Sequence, residues 1–353
     1  MSRLDEMRRL LAPPAQNVMS GDVPSFSIVI AAYQVADVIG EAIASALAQT
    51  VPPLEIVVCD DGSTDDLEAA VAPYRDRIVL VRKTNGGEAS AKNAAARAAA
   101  GDFVAILDAD DVYFPERLAA LGELAAARPD LDILTTDAFL ELDGKVLRRV
   151  YGPDWRFEVE DQRRGILERN FVFGHAAVRR ETLLAAGGFD ESIRYTTDWE
   201  CWIRLILSGS RAGAVLEPLS RYRVREESLS ADRASMTAGR IQSLRKGLEH
   251  PSLRPGERAV ARATLAAYER ELSLHRLREA LRQGQPGARR MALRVSLGRR
   301  TPLPTRLKGL AAVLAPRFVG RILRSRDEPV WVGAGATTVE RATPPSAEAA
   351  ARR

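Results

Sequence analysis

Four short apolar segments, each followed by a helical pattern of roughly a dozen residues, restrict the fold of this chain more than any other feature. Each segment is apolar along most of its length, which is typical of a strand buried on both faces. Strands of this kind in alternation with helices predict an α/β fold, with a mostly parallel central sheet covered by helices on both faces. The segments are Phe26–Tyr33, Leu54–Asp60, Ile78–Arg82 and Phe103–Leu107.

Polar residues stand at or just after the carboxyl ends of these strands. Because those ends meet at one edge of a parallel sheet, and ligands bind outside that edge, we expect the polar residues to form one site. The chain has neither a G-x-G-x-x-G nor a Gly-Lys-Ser/Thr motif, so the usual dinucleotide and mononucleotide fingerprints are absent. The residues expected at this edge are Tyr33, Asp60, Asp61, Asn85, Asp108 and Asp110.

The fourth strand runs directly into a cluster of carboxylates. The stretch Phe103–Asp111, FVAILDADD, contains three Asp residues within its last four positions. Like charges this close repel one another unless a cation or hydrogen-bond donors compensate them. Carboxylate oxygens suit Mg²⁺ or Mn²⁺, which proteins usually share with substrate phosphates. The alternative is an acidic turn that caps the helix starting near Pro115, and an Asp-x-Asp motif by itself does not decide between the two.

The balance of charge differs between the two parts of the chain. The whole sequence carries 51 Lys and Arg against 47 Asp and Glu, a net charge of +4. Residues 240–353 hold 24 Lys and Arg and 9 Asp and Glu, a balance of +15, so that 4 − 15 = −11 remains for the first 239 residues. An acidic body suits bound cations, and a basic tail suits an anionic surface such as phospholipid or a phosphorylated acceptor.

Composition divides the chain into four parts. Residues 1–24 are predicted to be a loose lead-in, and residues 25–230 to form the α/β domain. Residues 231–327 follow a pattern of Arg-, Ala- and Leu-rich helices, which predicts a basic helical extension. Residues 328–353 are rich in Pro, Gly, Ala, Thr and Ser, and we predict that they are disordered.

Several features predict a cytoplasmic protein. No stretch reaches the roughly 18 apolar residues of a membrane-spanning helix, and the N-terminus lacks the apolar core of a secretory signal. Cys59 and Cys201 lie in apolar contexts that are typical of buried free thiols. The basic amphipathic segment 306–326 suits the interface of an anionic membrane, which would place the protein on the inner face of the cell membrane.

The same segment has a second interpretation, a helical hairpin that is packed on the α/β domain and turns a basic face to solvent. Pro316 interrupts the apolar stripe, and this interruption favours the packed hairpin. Aromatic side chains are sparse in the tail, with Phe318 and Trp331 almost alone. Because single-stranded nucleic acids bind largely by stacking on aromatic side chains, we expect no nucleic-acid partner.

The order and spacing of several segments resemble a family 2 glycosyltransferase with a GT-A fold. The resemblance covers roughly residues 25–225, and VVCDDGSTD is its most diagnostic segment. It implies an α/β catalytic domain of Rossmann-like architecture that uses a nucleotide-sugar donor. The other segments are FSIVIAAYQ, IASALAQT, NGGEASAKNAAARAAAGDFVAILDADD, GHAAVRRETLLAAGGFDE, TDWECWIRL and LSRYRVREESLS.

The resemblance implies a nucleotide-binding role for one group of residues. Asp60 would accept a hydrogen bond from the base of the nucleotide, with uracil as the expected base. Groups around Ala31 and Tyr33 would cradle that base. Lys92 and Asn93 would line the nucleotide side of the site.

The resemblance also implies a metal site and a catalytic base. Asp108 would contact the ribose or help to hold the metal, and Asp110 would coordinate a Mg²⁺ or Mn²⁺ ion that bridges the two phosphates. Asp198, in the segment TDWE, would be the general base, with Glu200 as the competing candidate. From the residues alone, Asp198 is better explained as the N-cap of the helix that follows it, and only the resemblance favours the catalytic role.

Two positions depart from the pattern of many relatives. Many relatives have Pro-Ala-Tyr-Asn where this chain has Ala31-Ala32-Tyr33-Gln34. This difference alters the turn after the first strand and leaves the preferred nucleotide base open. Arg225 stands where many have His, two residues after Arg223. A fixed positive charge at this position suits neutralisation of a diphosphate, so Arg223 and Arg225 are candidate diphosphate contacts.

These observations predict a metal-dependent, inverting glycosyltransferase that moves a sugar from a nucleotide diphosphate, with UDP expected, to a hydroxyl group. The acceptor would be a glycan, a lipid-linked saccharide or a small molecule. One alternative is a non-catalytic module that binds nucleotide sugars, which would not need both Asp110 and Asp198. A second is a sugar-nucleotide pyrophosphorylase, which needs a Gly-rich, Arg-bearing loop after the first strand that AAYQVADVIG does not supply.

Overall fold

The described part of the protein forms two compact units. In this computed structural model, the first unit combines the residues up to 224 with residues 239–266, and the second holds residues 233–238 and those from 267 on. Most of the predicted lead-in and tail, and Arg225, lie outside the described residues. The structure describes residues 23–153, 155–224, 233–298, 303–324, 330–332 and 337–339.

The first half of unit one is a parallel βαβ arrangement, as the alternating pattern predicted. Its strands stand in the order β3-β2-β1-β4, and all neighbours are parallel. The apolar side chains of β1, β2 and β4 are buried, except that Ala31 is half-buried, because helices cover both faces of the sheet, whereas β3 at the edge is partly exposed. The strands are β1 (Phe26–Ala32), β2 (Glu55–Asp60), β3 (Val79–Arg82) and β4 (Phe103–Ile106). The helices are α1 (Ile39–Leu47), α2 (Leu67–Val71), which continues into a 3₁₀ turn (Ala72–Arg77), and α3 (Glu88–Ala98).

The second half of unit one extends the sheet with strands of mixed direction. Strand β8 pairs antiparallel with β4 and β6, β9 runs parallel to β6, and β5 and β7 pair antiparallel with β9 and β6. The strands are β5 (Val112–Tyr113), β6 (Ile133–Leu142), β7 (Lys145–Arg149), β8 (Ala177–Arg179) and β9 (Ala212–Val224). The helices are α4 (Arg117–Ala127), α5 (Gln162–Glu168), α6 (Arg180–Ala185) and α7 (Thr197–Ser208).

Strand β6 runs for ten residues although polar groups are buried in its middle, because these groups are satisfied. Asp137 is fully buried, and its carboxylate accepts hydrogen bonds from Ala138 N (2.7 Å) and Tyr151 N (2.8 Å). The same carboxylate pairs with the guanidinium of Arg149 at 2.6 Å. These contacts offset the cost of burying a carboxylate and let the strand continue.

The C-terminal part of the chain is helical, as predicted. Its helices are α8 (Arg233–Glu249), α9 (Pro255–Arg282), α10 (Ala288–Leu297), α11 (Leu303–Leu314) and α12 (Pro316–Arg324). The segment predicted as one interrupted stripe is thus two helices, since Pro316 ends one helix and occupies the first position of the next. Two short strands, β10 (Val330–Val332) and β11 (Thr337–Val339), pair antiparallel within the predicted tail. None of the described helices combines the length and apolar character that crossing a bilayer requires.

Candidate active site

The backbone register brings the ends of β1, β2 and β4 to one edge of the sheet. Ala32 on β1 is opposite Asp60, the last residue of β2, and Leu107 N donates to Val29 O at 3.0 Å on the other side of β1. Asp108 therefore follows β4 at the same edge at which Asp60 ends β2. Tyr33 leaves β1 at this edge with 49% of its surface exposed, and Ala31 is half-buried.

The turn after β1 is tied to the turn after β2 by Gln34, one of the positions at which the sequence departs from many relatives. Its side-chain oxygen accepts hydrogen bonds from Thr64 N (2.8 Å) and Asp65 N (3.0 Å). Gln34 has a φ of 56°, a left-handed conformation that costs a non-glycine residue free energy unless its surroundings hold it. Asp60 accepts a hydrogen bond from Ser63 N at 2.8 Å. Sequence reasoning treated Gln34 only as a departure and missed this bridging role.

Lys92 is buried on α3 and pairs with Asp108. Its ammonium nitrogen lies 2.9 Å from Oδ1 of Asp108 and also contacts the carboxylate of Glu88. Burial lowers the pKa of Lys92, but the charges of Asp108 and Glu88 outweigh it and raise that pKa. Burial likewise raises the pKa of Asp108, but the charge of Lys92 outweighs it and lowers that pKa. Both groups are therefore charged at neutral pH.

Asp111 and His175 form a buried pair behind Asp108. Oδ2 of Asp111 lies 2.6 Å from Nε2 of His175, and Oδ1 accepts a hydrogen bond from Arg223 N at 2.7 Å. The other ring nitrogen of His175 lies 3.0 Å from Oγ of Ser220. Burial lowers the pKa of His175 to about 3 and, with the charge of Asp108, raises the pKa of Asp111. His175 is thus a neutral, packed histidine.

Three of these side chains are close enough to share a metal ion: one ligand atom each from Asp108, Asp111 and His175 lie within 4.8 Å of one another. Both nitrogens of His175 and both oxygens of Asp111 already have partners, so binding through these two residues would break existing contacts. Asp108 and Asp110 are half-buried at the sheet edge and offer the oxygen ligands that Mg²⁺ and Mn²⁺ prefer. Asp108 and Asp110 thus remain the predicted ligands of such an ion.

Asp198 lies in the first turn of α7, half-buried. Its Oδ2 accepts a hydrogen bond from Nδ2 of Asn170 at 2.9 Å. Burial raises the pKa of Asp198, while a hydrogen bond from Trp199 N, the charge of Lys92 and the Asn170 contact oppose that rise. The helix begins at Thr197, so Asp198 stands inside the helix and is not its N-cap residue.

Glu200, the competing candidate for the base, is committed to an ion pair. It is 4% exposed, and each of its carboxylate oxygens lies 3.0 Å from a guanidinium nitrogen of Arg204. Arg204 also donates hydrogen bonds to Ala186 O and Gly188 O, both at 2.6 Å. The Glu200 carboxylate thus orients Arg204, which stabilises the loop at residues 186–188.

Asn93, predicted on the nucleotide side, has its side-chain amide occupied by the chain itself. Its oxygen accepts a hydrogen bond from Phe189 N at 2.7 Å, and its nitrogen donates to Phe189 O at 2.8 Å and to Glu191 at 2.9 Å. Gly188 packs so closely here that a Cβ atom would stand 2.3 Å from Oδ1 of Asn93. The buried side chain of Asn93 therefore stabilises the conformation of residues 188–191.

Replacing Asn93 with Ala is expected to lower the free energy of unfolding by about 2–4 kcal/mol, because the buried backbone groups of Phe189 lose their partners. Urea denaturation followed by circular dichroism measures this loss. Asn85→Ala, at an exposed position of the same residue type, is the matched control and should change stability by less than about 0.5 kcal/mol. Equal stability of the two variants would contradict this stabilising role of Asn93.

Of the two predicted diphosphate contacts, only Arg223 lies within the described residues. Its backbone nitrogen donates to Asp111, and its guanidinium pairs with Glu41 and comes within 3.5 Å of Asp110 O. It therefore stands beside the acidic turn, with a side chain that is 19% exposed.

Comparison with known proteins identifies the family. A family model described as glycosyl transferase family 2 matches residues 27–185. The succinoglycan biosynthesis protein ExoO of Rhizobium meliloti is 30% identical over 325 residues, which cover 84% of this chain and 89% of that protein. The chain belongs to glycosyltransferase family 2. The family predicted from the sequence is thereby confirmed.

A second relative of this glycosyltransferase is matched over only part of its length. It is an uncharacterized glycosyltransferase of Rickettsia prowazekii, 33% identical over 198 residues, which cover 54% of this chain and 60% of that protein. The chain therefore spans less than two thirds of that relative. The match therefore does not cover the whole of either protein.

Two solved structures share the fold of this family 2 glycosyltransferase. The mannosyltransferase PcManGT of Pyrobaculum calidifontis, in complex with GDP-Man and Mn²⁺, superposes with a TM-score of 0.55 at 22% identity over 91% of this chain and 90% of that one. TarS 1–349 of S. aureus, in complex with UDP-GlcNAc, gives a TM-score of 0.56 at 19% identity over 85% and 91%. These likenesses confirm the predicted GT-A α/β fold with a C-terminal helical part.

Proposed function

We propose that this glycosyltransferase moves a sugar from a UDP-linked donor to a hydroxyl group with inversion at the anomeric carbon. The observation that carries the proposal is that Lys92 acts electrostatically on two carboxylates of different character, Asp108 and Asp198. Lys92 pairs with Asp108 at 2.9 Å and its charge also acts on Asp198. Asp108, with its lowered pKa, suits a permanently charged ligand, and Asp198, with its raised pKa, suits a base.

Asp198 is the group that takes the proton in this proposal. The acceptor hydroxyl donates a hydrogen bond to the carboxylate, and as its oxygen bonds to the anomeric carbon the proton passes to Asp198. The bond between that carbon and the diphosphate oxygen breaks on the opposite side, so one displacement inverts the configuration. Burial raises the pKa of Asp198 and so strengthens it as a base.

The leaving diphosphate needs positive charge, and this chain offers it at the same edge. Asp108 and Asp110 would hold a Mg²⁺ or Mn²⁺ ion, which supplies Lewis-acid stabilisation of the leaving group when bound. Arg223 stands beside Asp110 and suits contact with a phosphate oxygen. At the same edge of the sheet, Tyr33 and Asp60 suit the nucleotide base, Tyr33 as an exposed ring and Asp60 as a hydrogen-bond acceptor.

A thermal-shift screen of UDP, GDP, dTDP and CDP, each with and without Mn²⁺, tests the donor. We expect UDP with Mn²⁺ to raise the melting temperature most, in keeping with the UDP-GlcNAc complex of TarS. GDP is the second expectation, since PcManGT binds GDP-Man with Mn²⁺. Turnover of the matching nucleotide sugar then separates an enzyme from a module that only binds. No response to any of these nucleotides would contradict the proposal.

Removing the hydrogen bond from Asn170 is expected to move the acidic limb of the pH profile. The base must be ionised to act, so kcat rises with pH through the pKa of Asp198. The Asn170 amide stabilises the ionised carboxylate, and without it that pKa rises further. Asn170→Ala should therefore reach half-maximal kcat at a higher pH than the parent enzyme. An unchanged acidic limb would show that another group is the base.

The acceptor and the cellular location belong to the same proposal. We infer that the acceptor is a glycan, a lipid-linked saccharide or a small molecule with a free hydroxyl group. The basic residues of segment 306–326 suit an anionic membrane surface, which would hold the enzyme at the inner face of the cell membrane.

A further inference from the structure

The C-terminal helices carry a long run of positive charge without any negative charge. Residues 280–326 contain 12 Lys and Arg and no Asp or Glu. Arg289, Lys308, Arg317 and Arg321 are exposed members of this run. Such a surface has no carboxylates of its own to neutralise it, so it attracts an anionic partner.

Helices α11 and α12 each have two apolar faces. One face is buried and the other is exposed to solvent. The inner face places Ala312, Val319 and Leu323 in the small core formed with α9 and α10. The outer face is a stripe of large apolar side chains spaced three or four residues apart, which we call the outer stripe. Its members are Leu307, Leu310, Leu314, Phe318 and Ile322, of which Leu314 is 81% and Phe318 63% exposed. The helices thus pack on one side against α9 and α10 and expose a second apolar face on the other.

The junction of α11 and α12 also borders a groove. This groove of about 830 Å³ lies between the junction and the turn that joins α9 to α10. Its lining combines the guanidinium groups of Arg289, Arg317 and Arg321 with the side chains of Leu314 and Phe318. Three cations beside two exposed apolar side chains match a ligand that has a phosphate at one end and hydrocarbon at the other.

We propose that this surface docks on an anionic phospholipid bilayer. The outer stripe enters the boundary between headgroups and acyl chains, and Arg289, Arg317 and Arg321 contact lipid phosphates along the groove. Helices with an apolar stripe flanked by Lys and Arg bind membranes in this way. The inference deepens the membrane expectation of the proposed function by assigning it to these residues, and it does not depend on the sugar-transfer reaction.

The alternative occupants fit the surface less well. A nucleic acid would leave Leu307, Leu310 and Leu314 in water, because aliphatic side chains offer no stacking face. A second copy of the chain that approached through the same surface would bring two positive patches together, which is unfavourable. A lipid bilayer satisfies the charge and the apolar stripe at once.

Vesicle flotation with the full-length protein tests this inference. The probes are vesicles of phosphatidylcholine alone and of phosphatidylcholine with phosphatidylglycerol in a ratio of roughly 7:3. We expect binding to the anionic vesicles and little binding to the neutral ones, with binding lost in about 1 M NaCl. Equal binding to both vesicles, or to neither, would overturn the proposal.

Two double variants separate the contributions of charge and stripe. Arg317→Gln with Arg321→Gln should weaken partition about 25-fold, since each basic residue contributes about fivefold. Leu314→Ser with Phe318→Ser should weaken it more than about tenfold. The controls are Arg75→Gln and Val146→Ser, at exposed positions in the other unit, and both should bind as the parent protein does. Variants that bind vesicles as well as these controls would place the membrane contact elsewhere.

Two further measurements keep the outcomes distinct. If sedimentation velocity showed a dimer that dissociates in Leu314→Ser with Phe318→Ser, the stripe would be an interface between copies, and the membrane inference would fail. Thermal shifts with UDP and Mn²⁺ should be the same in these variants as in the parent enzyme. If the parent protein bound vesicles but none of the nucleotides, the result would instead contradict the proposed function alone.

Discussion

Replacing Asp198 with Asn is expected to lower kcat by a factor of about 10²–10⁴ while nucleotide binding stays within about twofold. Asn has the same shape as Asp, so it can keep the hydrogen bond from Asn170, which donates its amide hydrogen at 2.9 Å in the parent protein. It cannot take a proton from the acceptor hydroxyl. The loss should therefore appear in the transfer step and not in the affinity for UDP. Steady-state kinetics and calorimetric titration with UDP measure the two effects separately.

Glu200→Gln is the matched control, because the two carboxylates lie in the same turn of α7. We expect it to retain most of the transfer activity, since Glu200 faces Arg204 and not the acidic edge. Its cost should be in stability, about 1–3 kcal/mol, because the half-buried guanidinium of Arg204 loses its charged partner. The opposite pattern, with transfer lost in Glu200→Gln and kept in Asp198→Asn, would assign the base to Glu200.

The first half of the fold was predictable because its information is local. The strands β1 to β4 are continuous apolar segments, and each helix follows its strand within a few residues. A parallel order and a common carboxyl edge then follow from the rules of βαβ connections. The second half depends on contacts between distant residues. The two-residue strand β5 exists only because β9, about a hundred residues later in the chain, pairs with it, and no local pattern around Val112 indicates it.

The residues of the candidate site also divide into those indicated by local sequence and those that depend on distant contacts. Asp60, Asp108 and Asp110 were found because each follows a strand. The pairing of Glu200 with Arg204 also carried a signal, since Glu and Arg four residues apart on a helix face each other. The contacts of Asn93 with Phe189 and of Asp111 with His175 join residues far apart in the sequence. A single sequence does not show which distant residues contact each other. The contact of Asn93 with Phe189 was therefore missed, and Asn93 was predicted to lie on the nucleotide side.

Replacing Asp110 with Asn is expected to reduce Mn²⁺-dependent turnover by roughly 10³-fold, while the melting temperature without metal stays unchanged. The physical reason is the loss of one negative ligand from a site that offers a divalent ion two half-buried carboxylates, Asp108 and Asp110. A bound cation contributes several kcal/mol of stabilisation to the charge that develops on the leaving diphosphate, and about 4 kcal/mol corresponds to a thousandfold change in rate. Calorimetric titration with Mn²⁺ in the presence of UDP measures the metal affinity independently of activity.

Asp111→Asn is the control for this experiment, because Asp111 is the neighbouring carboxylate of the same turn. Both of its oxygens are already used, one by His175 and one by the backbone nitrogen of Arg223. An Asn at this position should therefore weaken the fold more than it weakens Mn²⁺ binding, whereas Asp110→Asn should do the reverse. If Asp110→Asn kept full Mn²⁺-dependent activity and Asp111→Asn lost the metal, the buried trio of Asp108, Asp111 and His175 would be the metal site, and the assignment to Asp108 and Asp110 would be wrong.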